Sequence, residues 1–294
     1  MSHDTPRKLT RKEQRDVDSK TRLASPAASL IAVLIAIFWT VPTAGLLITS
    51  FRPQADIRRS GWWTVFVDPA FTLDNYGEAL QANNMLNSFV NSFIITIPAV
   101  IIPIILALLA AYAFAWIDFK GRSILFAAVF ALQVIPIQVT LIPLLTQYVQ
   151  WGLAGTYWTV WLSHTIFGLP LAIFLMHNFM KEIPASLIEA ARVDGAGHVR
   201  VFFQVLMPLL VPAIASFGIF QFLWVWNDLL VSLTFASTEY SPMTKVIAGL
   251  SGSFGSKWYL LSAGAFISML VPMIVFLSLQ RYFVRGLLAG GVKG

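Results

Sequence analysis

The chain has 294 residues, 57% of them hydrophobic and only 12% charged. Soluble domains carry about a quarter charged residues, so this composition argues against a water-soluble protein and calls for a count of apolar spans. The net charge of +6 does not point to nucleic acid, because seven of the 20 basic residues precede the first apolar run, and a chain with no cysteine has no disulfide, thiolate metal site or cysteine nucleophile.

Taken in order, residues 1–27 read as a basic cytoplasmic arm carrying Arg7, Lys8, Arg11, Lys12, Arg15, Lys20 and Arg22. The first charge-free run, 23–51, is roughly twice as long as a signal-peptide core and follows 22 mostly polar residues, so it reads as a retained helix over about 29–50. The run 79–117 predicts a second span at about 89–117. The 58-residue run 123–180 is too long for one helix and is divided by two glycines within 151–156, which gives spans at about 124–148 and 157–180. Runs 201–227 and 258–280 add spans at about 205–226 and 259–280, separated from the fourth by a loop over 181–204. The expected fold is an all-α integral membrane protein with six transmembrane helices.

Basic residues orient it. With the N-terminus inside, cytoplasmic segments hold 15 Lys and Arg and outer loops hold 5, namely Arg52, Arg58, Arg59, Lys245 and Lys257. Trp62, Trp63, Trp151, Trp158, Trp224, Trp226 and Trp258 gather at the expected outer ends, where an amphipathic ring favours the interface. Both termini are therefore expected to be cytoplasmic.

Pro98, Pro103, Pro136, Pro143, Pro170, Pro208, Pro212 and Pro272 interrupt the spans, and each interior proline removes a backbone donor that lipid cannot replace. Ala107, Ala111 and Ala115 put small side chains on one helix face, for packing within the chain or against a partner. Asn91, Gln133, Gln138, His164, His177, Asn178, Gln221 and Gln280 are the polar residues in or beside spans. They fit either a cavity for a neutral polyhydroxylated solute or helix–helix hydrogen bonding. His164 has no acidic neighbour in its helix and reads as structural, which disfavours a proton-driven carrier. No metal cluster, HExxH or GxSxG is present, which also disfavours an enzyme built on His164 or His177.

The loop over 181–204 is the most informative segment. Pro184 suits a helix's first turn and Gly195 a left-handed stop. Between them lie about three turns, with Ala190 and Ala191 offering a flat surface and Glu189, Arg192 and Asp194 at its margin. By these residues alone it is a short amphipathic helix along the inner membrane surface, or a connecting loop.

The run EAARVDGA, Glu189 to Ala196, with Pro208 thirteen residues after Gly195, resembles the EAA loop of permease subunits in binding-protein-dependent ATP-binding cassette (ABC) importers. Met207 replaces the usual leucine, and Trp116 replaces an arginine common in that family. Together with Ala111 to Trp116, Asp118 to Arg122, Thr140 to Pro143, Trp226-Asn227-Asp228 and the tail from Gln280, nearly the whole chain from about residue 28 is similar to the shorter, six-span permease of maltose-transporter-type carbohydrate importers. Arg52-Pro53 and Gly61-Trp62-Trp63 resemble α-glucoside-type members. The resemblance implies a permease subunit in a bacterial cytoplasmic (inner) membrane that translocates a sugar or oligosaccharide and is not itself an enzyme. It implies a second permease subunit, a cytoplasmic ATP-binding subunit dimer that holds ATP and magnesium, and an extracytoplasmic sugar-binding protein. No cofactor or metal is expected on this chain. Glu189, Ala190, Ala191, Asp194, Gly195 and Pro208 are the expected contacts to the ATPase, and Ser251, Gly252, Ser253, Phe254 and Gly255 those to the binding protein. No sugar-contacting residue is assigned. A secondary carrier acting without ATP is the alternative.

Overall fold

Helix is the regular structure throughout residues 26–81, 84–251 and 257–291, which the computed structural model of the chain describes; no strand occurs among them. Residues 1–25 of the basic arm lie outside this set.

Of the described residues, 26–75 form one compact unit. Its long helix α1 (Pro26–Ser50) is followed by α2 (Gln54–Arg59) and a 3-10 turn (Trp62–Phe66). Arg52, only 4% exposed, holds the corner together. Its guanidinium donates to the carbonyls of Ser60 and Gly61 and to the hydroxyls of Ser60 and Thr64 at 2.7–3.2 Å. Trp62 packs so closely over Gly45 that a Cβ there would lie 2.7 Å from the indole nitrogen. Arg52 and Trp62 are thus built into the unit's packing as well as lying in a loop.

In chain order there follow α3 (Asp74–Gln81), α4 (Met85–Trp116), α5 (Arg122–Val134), α6 (Ile137–Gln150), α7 (Tyr157–Glu182), α8 (Ala185–Val193), α9 (His198–Trp226), α10 (Leu230–Phe235), α11 (Met243–Ser251) and α12 (Trp258–Gly291). By length and composition α1, α4, α7, α9 and the Trp258–Gln280 part of α12 can each cross a membrane, and α5 with α6 makes a sixth when that pair is taken as one span. The third expected span, 124–148, is therefore not a continuous helix: α5 and α6 meet at 101°. Pro136 explains the break, because the ring clashes with an α-helical residue before it, and Ile135 sits extended at φ −71°, ψ 120°.

The unit from Tyr76 onward is centred on α4, α7 and α9. Ala107, Ala111 and Ala115 are buried against Ala172, Met176 and Met180 of α7 in the chain's own core, so that small-residue face packs within the chain. The prolines show why these three helices depend on one another. Pro98 and Pro103 cannot supply the N–H that would pair with the carbonyls of Ile94 and Ala99 four residues earlier. Trp161 Nε1 of α7 donates to the Ile94 carbonyl at 2.9 Å, and Gln221 Nε2 of α9 donates to the Ala99 carbonyl at 3.2 Å. Pro272 in α12 likewise frees the carbonyl of Ser268, which accepts from Trp226 Nε1 of α9 at 3.0 Å. These three kinks are thus each held by a donor from a neighbouring helix, which an apolar environment cannot supply.

Candidate functional site

The segment after α7 forms as its local chemistry dictates. Pro184 precedes α8 in extended geometry (φ −58°, ψ 130°), and Asp194 closes it. Gly195 then adopts φ +79°, a conformation costly for residues with a Cβ. The amides of Gly195 and Ala196 return to the carbonyls of Arg192 and Ala191 at 3.0 and 2.9 Å, which pairs the helix's last carbonyls in a Schellman turn. Of the nine residues of α8 only Ile188 is buried, set in a core with Met176, Met180, Val201 and Phe202. Glu189, Ala190, Arg192, Asp194 and Gly195 are exposed, while Ala191 is half-buried against that core. Leu187 and Val193 are also exposed, at 46% and 87%. The helix is therefore pinned by one side and free along the other.

The start of α9 continues this anchorage. Tyr112 of α4 shares a hydrogen bond of 2.7 Å with His198 Nδ1. The backbone widens into a π-helical turn over Val201–Leu206 just before Pro208, which is exposed. The other expected contact segment is less visible: Ser251 ends α11, and Gly252, Ser253, Phe254 and Gly255 lie outside the described residues.

The polar residues of the spans separate into two kinds. Asn91 is fully engaged, donating to the carbonyls of Glu239 and Ser241 and accepting from the Tyr157 hydroxyl at 2.6 Å. Gln221, 1% exposed, fits a niche left by Gly168, where a Cβ would come within 2.8 Å of its Oε1. His177 packs on Phe126 with ring centroids 4.3 Å apart, and Gln280 donates to the Leu277 carbonyl of its own helix. Asn178, Gln133 and Gln138 are exposed, the last two at the break between α5 and α6.

His164 gains a partner that its own helix does not provide. Its Nδ1 lies 2.9 Å from the Val160 carbonyl and its Nε2 lies 3.6 Å from Asp228 Oδ2, an ion-pair distance too long for a hydrogen bond. Asp228 accepts from the Ser232 amide at 2.9 Å and the Ser232 hydroxyl at 3.1 Å, so it also caps α10. Burial pushes its carboxyl up, but the neighbouring His164 ring and the amides of Ser232 and Val231 outweigh this and hold it below the usual carboxylate range. No charge pattern along the sequence signals this pair, because it joins residues 64 positions apart. Among the described residues no group of three or more His, Asp or Glu could hold a metal.

These features sit in a chain whose residues 103–288 match the family model described as binding-protein-dependent transport system inner membrane component. The chain belongs to this family. It is 53% identical over 270 residues to the osmoprotective compounds uptake permease protein GgtD of Synechocystis sp., covering 90% of this chain and 91% of that protein. It is 48% identical over 258 residues to the alpha-glucoside transport system permease protein AglG of Rhizobium meliloti, covering 83% and 68%. The melibiose/raffinose/stachyose import permease protein MelC of Bacillus subtilis is 34% identical over 268 residues, covering 90% and 96%. A bacterial ABC transporter that imports the acidic polysaccharide alginate shares the fold, with a TM-score of 0.71 over 95% of this chain and all of that one at 22% identity. This permease is thus a multi-pass inner-membrane component of an ABC transport system, and the family assignment disfavours a solitary secondary carrier.

Proposed function

We propose that this permease forms half of the pathway of an importer for a neutral sugar or oligosaccharide, α-glucosides included. Its relatives are named for α-glucoside and for melibiose, raffinose and stachyose transport. In this reading both termini are cytoplasmic, a second permease subunit completes the pathway, and an extracytoplasmic binding protein delivers the sugar to loops that include 251–255. ATP and magnesium are held by a separate pair of cytoplasmic ATP-binding subunits. The observation that carries the reading is α8, buried through Ile188 alone and leaving Glu189, Ala190 and Asp194 exposed beside the Gly195 turn. A rigid helix anchored on one side is suited to dock in a cleft of the ATPase and pass its closure to α7 and α9, with Ala190 and Ala191 permitting close approach. Pro208 would fix where that movement enters α9.

Affinity purification of the tagged full chain from its native membrane tests this. It should bring down an ATP-binding protein and a second permease. In nanodiscs, the ATPase rate of that complex should rise several-fold with the cognate binding protein loaded from a panel of maltose, melibiose and raffinose. Sugar accumulation by liposomes containing this chain alone, without nucleotide, would overturn the proposal.

A further inference from the structure

A cavity of about 810 Å³ opens where α5 breaks from α6, closed on its far side by Ile166, Phe167 and Pro170 of α7. That volume lies within the range of small-molecule sites, about 300–1,000 Å³. None of its lining residues is charged, and its polar side chains are Gln133, Gln138, Thr140 and Gln147. Thr140 donates to the Ile137 carbonyl and Gln147 to Gln150, whereas the amides of Gln133 and Gln138 bond to no described residue. A smaller cavity of about 180 Å³ shares Gln133, Ile137 and Phe167 and extends the space to Gln221 and Trp224.

The prolines make this cavity different from the compensated kinks of α4 and α12. Donors from neighbouring helices occupy the carbonyls freed by Pro98, Pro103 and Pro272. Pro42, Pro143, Pro170, Pro208 and Pro212 have no such donor among the described residues, and two of these five, Pro143 and Pro170, line this one cavity. The carbonyls they leave without an N–H four residues on belong to Val139 and Ile166, which line it as well. Lipid cannot pair with those carbonyls, and an apolar helix laid over them would bury them unsatisfied. Hydroxyl groups can pair with them.

We propose that this cavity holds the neutral polyhydroxylated solute during its passage. The solute's hydroxyls donate to the carbonyls of Val139 and Ile166 and exchange hydrogen bonds with the amides of Gln133 and Gln138, while Phe167 meets an apolar ring face. The inference rests on the sugar-importer reading and adds contacts on this chain to it.

Because the chain has no cysteine, Gln138→Cys introduces its sole thiol. In the complete complex, with cysteine-free partners and reconstituted in nanodiscs, that thiol should react with the water-soluble sulfonatoethyl methanethiosulfonate. Reaction should slow at least five-fold when MgATP and binding protein loaded with the sugar that stimulates the ATPase are present. Ile124→Cys, exposed on α5 and outside the cavity, should react at the same rate with and without sugar. Gln133→Leu and Gln138→Leu should each cut uptake about ten-fold while binding-protein-stimulated ATPase stays within two-fold of wild type. A Gln138→Cys thiol that never reacts would mean that the second permease fills the cavity, and one that reacts regardless of sugar would mean that the solute passes elsewhere. Either result, or undiminished uptake by both leucine variants, overturns the site while wild-type transport stands. A wild-type complex that takes up no sugar overturns the importer reading and the site together.

Discussion

Gln221 does for α4 what no residue of α4 can do, donating a hydrogen bond to a carbonyl that Pro103 leaves open. Its replacement by leucine should therefore cost about 1–3 kcal/mol, the usual penalty for an orphaned buried polar group. Adding Pro103→Ala returns the N–H to Ala99 from within the helix. The double variant should be more stable than Gln221→Leu alone, contrary to simple addition of two harmful changes. Thermal unfolding of the purified complex in detergent reads this directly; strictly additive losses would refute the pairing. Asp228 gives a second residue-scale test. Its carboxyl is held below the normal range in the folded protein, so its contribution is complete above the unfolded value of about 3.9 and is lost as pH falls below that toward the folded value. Asp228→Asn should lower stability by about 2 kcal/mol near neutral pH, with the gap to wild type closing below pH of about 4. A gap that widens in acid would contradict the sign.

At the scale of elements, α8 was legible because its limits are local. Pro184 and Gly195 specify a start and a stop within a dozen residues, and the φ of +79° at Gly195 is what the stop needs. Space is not what demands glycine there, as nothing lies within 4 Å of a built Cβ. Gly195→Val should thus strain only the turn, by about 1–2 kcal/mol. Binding-protein-stimulated ATPase and uptake should both fall, with the complex still assembled by size-exclusion chromatography and Gly195→Asn retaining more of both activities than the valine variant. Wild-type uptake in the valine variant would remove Gly195 from the coupling role. The α5–α6 junction was harder to read. An interior proline can kink a continuous helix or end one, and composition does not separate the two at Pro136; the extended Ile135 does. The sorting of Asn91 and Gln221 from Gln133 and Gln138 was equally hidden, since all four are neutral amides in apolar runs. Which of them meets a carbonyl depends on which helices become neighbours. His164 and Asp228 were missed for the same reason, because a search confined to one helix cannot find a partner supplied by the segment after another.

Across the whole molecule, apolar length alone located the places where helices able to cross a membrane occur, since burial in lipid imposes a minimum run that water-soluble folds do not share. The exception carries its own consequence. The two halves of the broken segment contain 13 and 14 residues, so each is about 20 Å long against a hydrocarbon layer of about 30 Å. Neither rod can cross by itself. A ribosome that has delivered the chain only as far as residue 150 has therefore made two stubby apolar pieces at 101° to each other, and the helix Tyr157–Glu182 that packs against both in the folded chain is still to come.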